Sequence, residues 1–175
     1  MLACRRVTAP RRALSHAISE GDGISLIVEV DGAPSAAEAE RVGAKAVVLG
    51  AGVGDARPVR TATTLPLIVF GDDTHGVADA CIVELESSLA GGDTELVFTV
   101  TTDEELEEAL ERHDPEILLL APSDDGVEPV LELLADVPAG KLAIAALWEP
   151  AADELAELER AGCDAVLVGA RAAVD

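Results

Sequence analysis

Ala37-Glu-Ala-Glu-Arg-Val-Gly-Ala-Lys-Ala-Val-Val-Leu-Gly-Ala51 aligns without a gap on Ala156-Glu-Leu-Glu-Arg-Ala-Gly-Cys-Asp-Ala-Val-Leu-Val-Gly-Ala170, 119 residues further on. Each copy reads as a helix ending in Glu-Arg, a glycine able to take the left-handed cap geometry, and a short strand that is apolar at every residue. A strand without alternation is buried on both faces, as in parallel sheets covered by helices. Gly76-Val-Ala-Asp-Ala-Cys-Ile-Val83 is a fainter echo of the strand half, and Glu111-Arg112 ahead of Ile117 echoes the helix half. A repeated βα unit is therefore the element from which the chain is built.

Working outward, runs of Val, Ile and Leu recur at residues 26–30, 46–49, 67–70, 80–85, 96–100, 117–121, 142–147 and 165–168. Between several of them stand helix starts: Ser35 with Glu38 and Thr102 with Glu105 have the spacing of capping boxes. Eight strands alternating with helices predict an α/β fold, the (β/α)8 TIM barrel, with an open doubly wound sheet as the alternative. Such barrels typically need about 250 residues, and this chain has 175. The link after residues 67–70 is too short for a helix, and those after Gly50 and Leu85 hold a turn or two. The second, third, fourth and eighth crossover helices are thus expected to be shortened or missing. A thin outer layer predicts apolar strand surface for a second copy of the chain to cover, making a homo-oligomer. Residues 1–175 read as one domain, with a basic segment and short helix over 1–22, the helix near 13–19, and a compact barrel over 24–175.

Composition bounds the function. The chain is 49% hydrophobic and 26% charged with a mean hydropathy of +0.29, which excludes a disordered chain. Its longest uninterrupted apolar run, Leu142 to Trp148, is far short of the roughly 20 residues that cross a bilayer. With 12 Lys+Arg against 34 Asp+Glu the net charge is -22, which opposes binding to nucleic acid or anionic lipid. Cys4, Cys81 and Cys163 and His16, His75 and His113 form no ligand spacing, so no metal, cofactor or disulfide framework is expected. Arg5, Arg6, Arg11 and Arg12 precede the first acid, Glu20. An Arg-rich start is compatible with a transit peptide, but it lacks the apolar core of a secretory signal, and the cytoplasm is the expected compartment.

Some of these segments are familiar. Leu26-Ile-Val-Glu-Val-Asp-Gly-Ala-Pro-Ser35 resembles the first strand and loop of the indole-3-glycerol phosphate synthase family, the phosphate-binding TIM barrels of tryptophan biosynthesis. Thr101-Thr-Asp-Glu-Glu-Leu-Glu-Glu-Ala-Leu110 is similar to that family's helix after strand five, Leu65-Pro66-Leu67-Ile68 to its third strand, and Ala161-Gly-Cys-Asp-Ala-Val-Leu-Val-Gly169 to its last. The resemblance runs from about Arg11 to the end, with deletions between strands two and five. It implies a lyase that closes a ring with decarboxylation, using a first-strand Glu and Lys, a third-strand Lys and a fifth-strand Glu. The first Glu falls on Glu29, but the two lysines fall on Asp31 and Phe70 and the second Glu on Thr99. The polar residues after strands six and seven fall on Ala121, Ser123 and Ala146-Leu147-Trp148, and the last strand keeps Gly169 but continues Ala170-Arg171. What the resemblance implies is a barrel that has lost the family's reaction and binds a phosphorylated small molecule or a partner. The alternative is an active synthase, or a related phosphosugar enzyme, built around Glu29.

The residues themselves point to an acidic mouth. Glu29 beside Asp31 places two like charges at one strand end, suited to a raised pKa, to half of a cation site, or simply to solvation. Asp72, Asp73, Glu84, Asp124, Asp125 and Glu149 follow other strands and oppose an anionic ligand. A basic residue such as Arg57, Arg60 or Arg171 turned toward Glu29 would restore the missing positive field. Gly169, Ala170 and Arg171 are the candidate phosphate site, and Asp31, Phe70, Thr99, Ser123 and Trp148 the expected lining of the mouth. Trp148 reads as a ligand platform or as a lid. His75 reads as a turn residue near two acids, His113 as a helix end, and Gly50-Ala-Gly-Val-Gly54 as a turn without the spacing of a nucleotide loop.

Overall fold

In a computed structural model of the chain, which describes residues 12–72, 76–87 and 94–169, eight parallel strands close into a barrel in chain order. They are β1 (Ser25–Val30), β2 (Ala46–Leu49), β3 (Leu67–Phe70), β4 (Ala80–Val83), β5 (Glu95–Val100), β6 (Ile117–Leu120), β7 (Leu142–Ala146) and β8 (Ala165–Val168). Followed from strand to strand, the register offsets accumulate to a stagger of eight residues, the shear of a (β/α)8 barrel. The open sheet is thereby excluded.

The helices are α1 (Ala13–Ser19), α2 (Ala33–Arg41), α3 (Arg57–Ala62), α4 (Asp103–Arg112), α5 (Val127–Ala135) and α6 (Ala152–Arg160). α3 is six residues long, and among the described residues no helix links β3 to β4 or β4 to β5. None is long and apolar enough to cross a membrane. The outer strand faces on this side are nonetheless covered: Val69, Cys81, Val83 and Phe98 are all buried. Val77 and Ala78 pack against that layer, and the His113 ring stacks on Phe98 with centroids 4.7 Å apart. Among the described residues these outward-facing strand positions are therefore not bare, and loop side chains contribute to covering them.

The repeat is reproduced bond for bond. At the end of α2 the amide of Ala44 donates to Ala39 O and that of Gly43 to Glu40 O; at the end of α6 Cys163 donates to Leu158 O and Gly162 to Glu159 O. Both are the paired bonds that end a helix on a left-handed residue, and Gly43 and Gly162 share a φ of 91°. The faint echo also holds. Asp79 and Asp164, each one residue before a strand, accept through Oδ2 from the amides of Leu67 (2.9 Å) and Ala143 (2.8 Å) at the start of the preceding strand.

One capping box forms and one does not. Thr102 caps α4 by accepting from the Glu105 amide, while the Glu105 carboxylate reaches back to the amide and hydroxyl of Thr101. α2, however, starts before Ser35, whose hydroxyl accepts from the amides of Asp31 and Gly32; Glu38 pairs with Arg41 instead.

Ile27, Val48, Ile68, Ile82, Val97, Leu119, Ile144 and Leu167, one from each strand, meet at the barrel centre and leave no room for a water molecule. The barrel is thus a packed core and not a channel. Below this ring the inward positions of β2, β4 and β8 are Ala46, Ala80 and Ala165, and the space they leave is taken by Leu14 and Ile18 of α1. Burial of each of these two contributes about 2 kcal/mol. The amides of Leu14 and Ser15 donate to the Glu95 carboxylate, which holds the start of α1 against the N-terminal end of the barrel.

Candidate functional site

With the N-terminal end plugged, the accessible end of the barrel is the C-terminal mouth, where strands of this fold present functional side chains. Alternation carries each strand from the packed ring to its next inward residue: Glu29, Gly50, Phe70, Glu84, Thr99, Ala121, Ala146 and Gly169. Two are carboxylates, one is a hydroxyl, one is a phenyl ring, and four are glycine or alanine. The small residues open space in the mouth.

That space is a cavity of about 470 Å³ floored by Ile82, Leu119, Ala121, Ala146 and Leu167 and walled by Phe70, Thr99, Glu84 and Ser87. Phe70 ends β3 with 42% of its surface exposed, although apolar side chains of its size are normally buried. A second cavity of about 300 Å³ adjoins it, sharing Glu84 and Thr99 and lined further by Glu86, Thr101, Glu105 and Glu108. The two Thr101 bonds to its carboxylate hold Glu105 below the usual glutamate range, so it stays ionised. Glu108 is paired with Arg112. Among the described residues no Lys, Arg or His lines either cavity.

The expected site residues separate into groups. Phe70 and Thr99 do come together, in the larger cavity. Glu29 does not line it: its carboxylate lies over Gly50, with Oε1 3.1 Å from where a Cβ on that glycine would stand. Asp31 is exposed and accepts from the Ser35 hydroxyl at 2.6 Å, and Ser123 is exposed in the loop after β6. Trp148, 65% exposed, packs its indole on Gly169, whose amide donates to the Trp148 carbonyl at 3.4 Å. It also lines a separate cleft of about 330 Å³ with Asp125, Glu149 and Pro150. Ala170, Arg171, Asp73, His75 and Cys4 lie outside the described residues.

Of the three candidate cations, Arg171 lies outside the described residues, and neither Arg57 nor Arg60 lines the mouth cavities. Arg57 pairs with Asp55, and Arg60 pairs with Asp79 while donating to the carbonyls of Thr63 and Leu65. His113 ends α4 as expected, but its Nε2 lies 3.0 Å from Leu85 O and so ties α4 to the end of β4. Gly50 to Gly54 is a turn, with Val53 donating to Gly50 O and Gly52 at a φ of 91°. Cys163 is buried, and burial pushes its thiol up to about 11, which removes it as a nucleophile at neutral pH. The residues overlooked by the sequence reading were Ser87, Glu86 and Glu105. In the sequence Glu105 stands out as half of a capping box within an acid-rich helix, not as a mouth residue.

Fold and mouth together define a (β/α)8 barrel with an acidic, partly apolar C-terminal cleft. A scan of the sequence against models of protein families finds no match, and a search of curated proteins finds none. Solved structures do match in fold. Phosphonopyruvate hydrolase in complex with oxalate and Mg++ has a TM-score of 0.66 and 14% identity over 95% of this chain and 83% of that one. Phosphoenolpyruvate phosphomutase from Streptomyces platensis subsp. rosaceus has a TM-score of 0.66 and 16% identity over 87% and 78%. 2,3-Dimethylmalate lyase, a PEP mutase/isocitrate lyase superfamily member, has a TM-score of 0.61 and 14% identity over 89% and 79%.

These neighbours, a phosphonopyruvate hydrolase, a phosphoenolpyruvate phosphomutase and a PEP mutase/isocitrate lyase superfamily member, overturn the resemblance to indole-3-glycerol phosphate synthase, and at such identities the likeness is one of fold alone. The segments that carried the resemblance are those that build βα units. Thr102 and Glu105 start a helix, Gly162 ends one, and Leu26 to Val30 is a barrel strand. With the resemblance goes the comparison of catalytic positions by which activity was read as lost. Among the described residues no three His, Cys, Asp or Glu side chains are grouped so as to hold a metal ion.

Proposed function

We propose that this protein is a small-molecule-binding (β/α)8 barrel whose ligand lodges an apolar body in the cavity between Phe70, Thr99 and Ala121, without metal-assisted or acid–base chemistry on an anionic substrate. The observation that carries this reading is the cavity itself. It holds about 470 Å³, within the range of small-ligand sites, over an aliphatic floor with few polar groups. Glu84 and Thr99 supply the polar contacts, and no described side chain at the mouth supplies the positive charge that a phosphate or a dicarboxylate requires.

The test uses three probes with one apolar body, 2-phenylethylamine, 2-phenylethanol and 3-phenylpropanoate, followed by the amide resonances of Phe70, Thr99 and Ala121. At least one probe is expected to shift them, and Ala121→Leu, which fills the floor, to abolish the shifts. No response to any probe, or a response that survives Ala121→Leu, overturns the reading.

The fold likeness to phosphonopyruvate hydrolase and 2,3-dimethylmalate lyase favours a second reading, an enzyme of the PEP mutase/isocitrate lyase type. Turnover of phosphonopyruvate or 2,3-dimethylmalate with Mg²⁺, lost on Glu84→Gln, would support it over the first.

A further inference from the structure

The two mouth cavities differ in character but share a wall. The larger is floored by aliphatic side chains, whereas the smaller is lined by Glu84, Glu86, Glu105 and Glu108. Glu84 and Thr99 stand at the boundary and face both. Of the four carboxylates only Glu108 is neutralised by a described cation, Arg112. Glu105 accepts through Oε2 from the amide and hydroxyl of Thr101, and no described cation pairs with it. A ligand crossing the boundary would therefore pass from an apolar floor into an uncompensated negative field within the length of one small molecule.

We infer that the ligand of this mouth is an organic cation, an amine whose apolar body fills the larger cavity and whose ammonium crosses past Thr99 to lie between Glu84 and Glu105. The inference rests on the function proposed above and specifies its ligand class. An ammonium offers donors and no acceptor, matching carboxylates that offer acceptors and no donor. Phe70 at the cavity edge presents an exposed ring on which the apolar body packs. A carboxylate or phosphate on the same body would meet repulsion from Glu84, Glu86 and Glu105. A neutral alcohol would gain the apolar contact and forgo the ionic one.

Competition among the same three probes tests this, by isothermal titration at low salt. 2-Phenylethylamine is expected to bind at least tenfold more tightly than 2-phenylethanol, and 3-phenylpropanoate to give no measurable heat. Glu84→Gln should remove most of the preference for the amine over the alcohol. Glu132→Gln, an equal charge change on the exposed face of α5, should leave the preference intact and so separate a local effect from the attraction of a chain of net charge -22. Equal binding of amine and alcohol overturns the inference while leaving the proposed cavity standing, as does an amine preference unmoved by Glu84→Gln or lost equally with Glu132→Gln. Absence of binding by all three overturns both.

Discussion

The indole of Trp148 occupies the space that a side chain on residue 169 would need: a Cβ built on Gly169 would come within 2.9 Å of Cζ3 and 3.0 Å of Cε3. The only tryptophan of the chain therefore reports on the junction between β7 and β8. Gly169→Ala should displace the indole into solvent, red-shifting its emission. Because Trp148 is mostly exposed and free to swing, the stability cost should stay near 1 kcal/mol, the low end for overpacking. Fluorescence spectra and thermal melts check both parts, and an unchanged emission spectrum would refute the contact.

Gly43 and Gly162 hold the same left-handed backbone at equivalent ends of α2 and α6. Alanine at either position should destabilise by about 1 kcal/mol, because its Cβ disfavours that geometry, although no atom lies within 4 Å of the added methyl. The two sites lie at separate helix ends, so the double variant should lose the sum, as measured by urea denaturation. A double variant no worse than either single one would contradict the independence of the two units.

Arg60 and Asp79 form the least exposed acid–base pair among the described residues in which both partners are shielded, with Nη1 2.8 Å from Oδ2. The same guanidinium satisfies Thr63 O and Leu65 O, and the same carboxylate holds the Leu67 amide at the start of β3. Arg60→Ala leaves a shielded carboxylate and two carbonyls without their donor, at a cost of about 3 kcal/mol. Adding Asp79→Asn should recover part of that loss, since the stranded charge is gone. Chemical denaturation of the single and double variants decides, and a double variant weaker than Arg60→Ala alone would count against the charge argument.

Asp164 has the equivalent place before β8 but no described cation beside it, and burial raises its carboxyl above the usual aspartate range. A raised acid binds more protons folded than unfolded, so its contribution to stability falls as pH climbs from the ordinary carboxylate range through the folded pKa, and is constant above. Asp164→Asn keeps the acceptor for the Ala143 amide without the charge. Its melting temperature relative to the parent should therefore rise with pH across that window. A relative melting temperature flat from pH 3 to 7 would show that Asp164 is not penalised by burial.

Much of the fold was legible because it follows from local physics. The eight apolar runs place every strand start within one residue of where it lies, and the short helix at Ala13–Ser19 was legible too. A strand buried on both faces must be apolar throughout, and a helix end needs its glycine wherever it occurs. The capping box at Ser35 misled because Pro34 fits the first turn of a helix, so α2 begins before Ser35 and turns its hydroxyl toward the Gly32 amide. The family resemblance misled for a related reason: signals for building βα units are common to barrels with unlike chemistry.

The sequence by itself determined the number and starts of the strands, the parallel sheet, the stunting of the connections after β2, β3 and β4, and an acidic mouth. Each depends on residues near one another in the chain. Tertiary structure alone decided that Phe70 and Thr99 share a cavity with Glu84, that Glu29 lies apart over Gly50, and that Trp148 closes over Gly169. Those pairings depend on the stagger of eight residues accumulated around the barrel, which moves equivalent strand ends to different heights. No local pattern encodes such a displacement, because it exists only once the eighth strand has met the first.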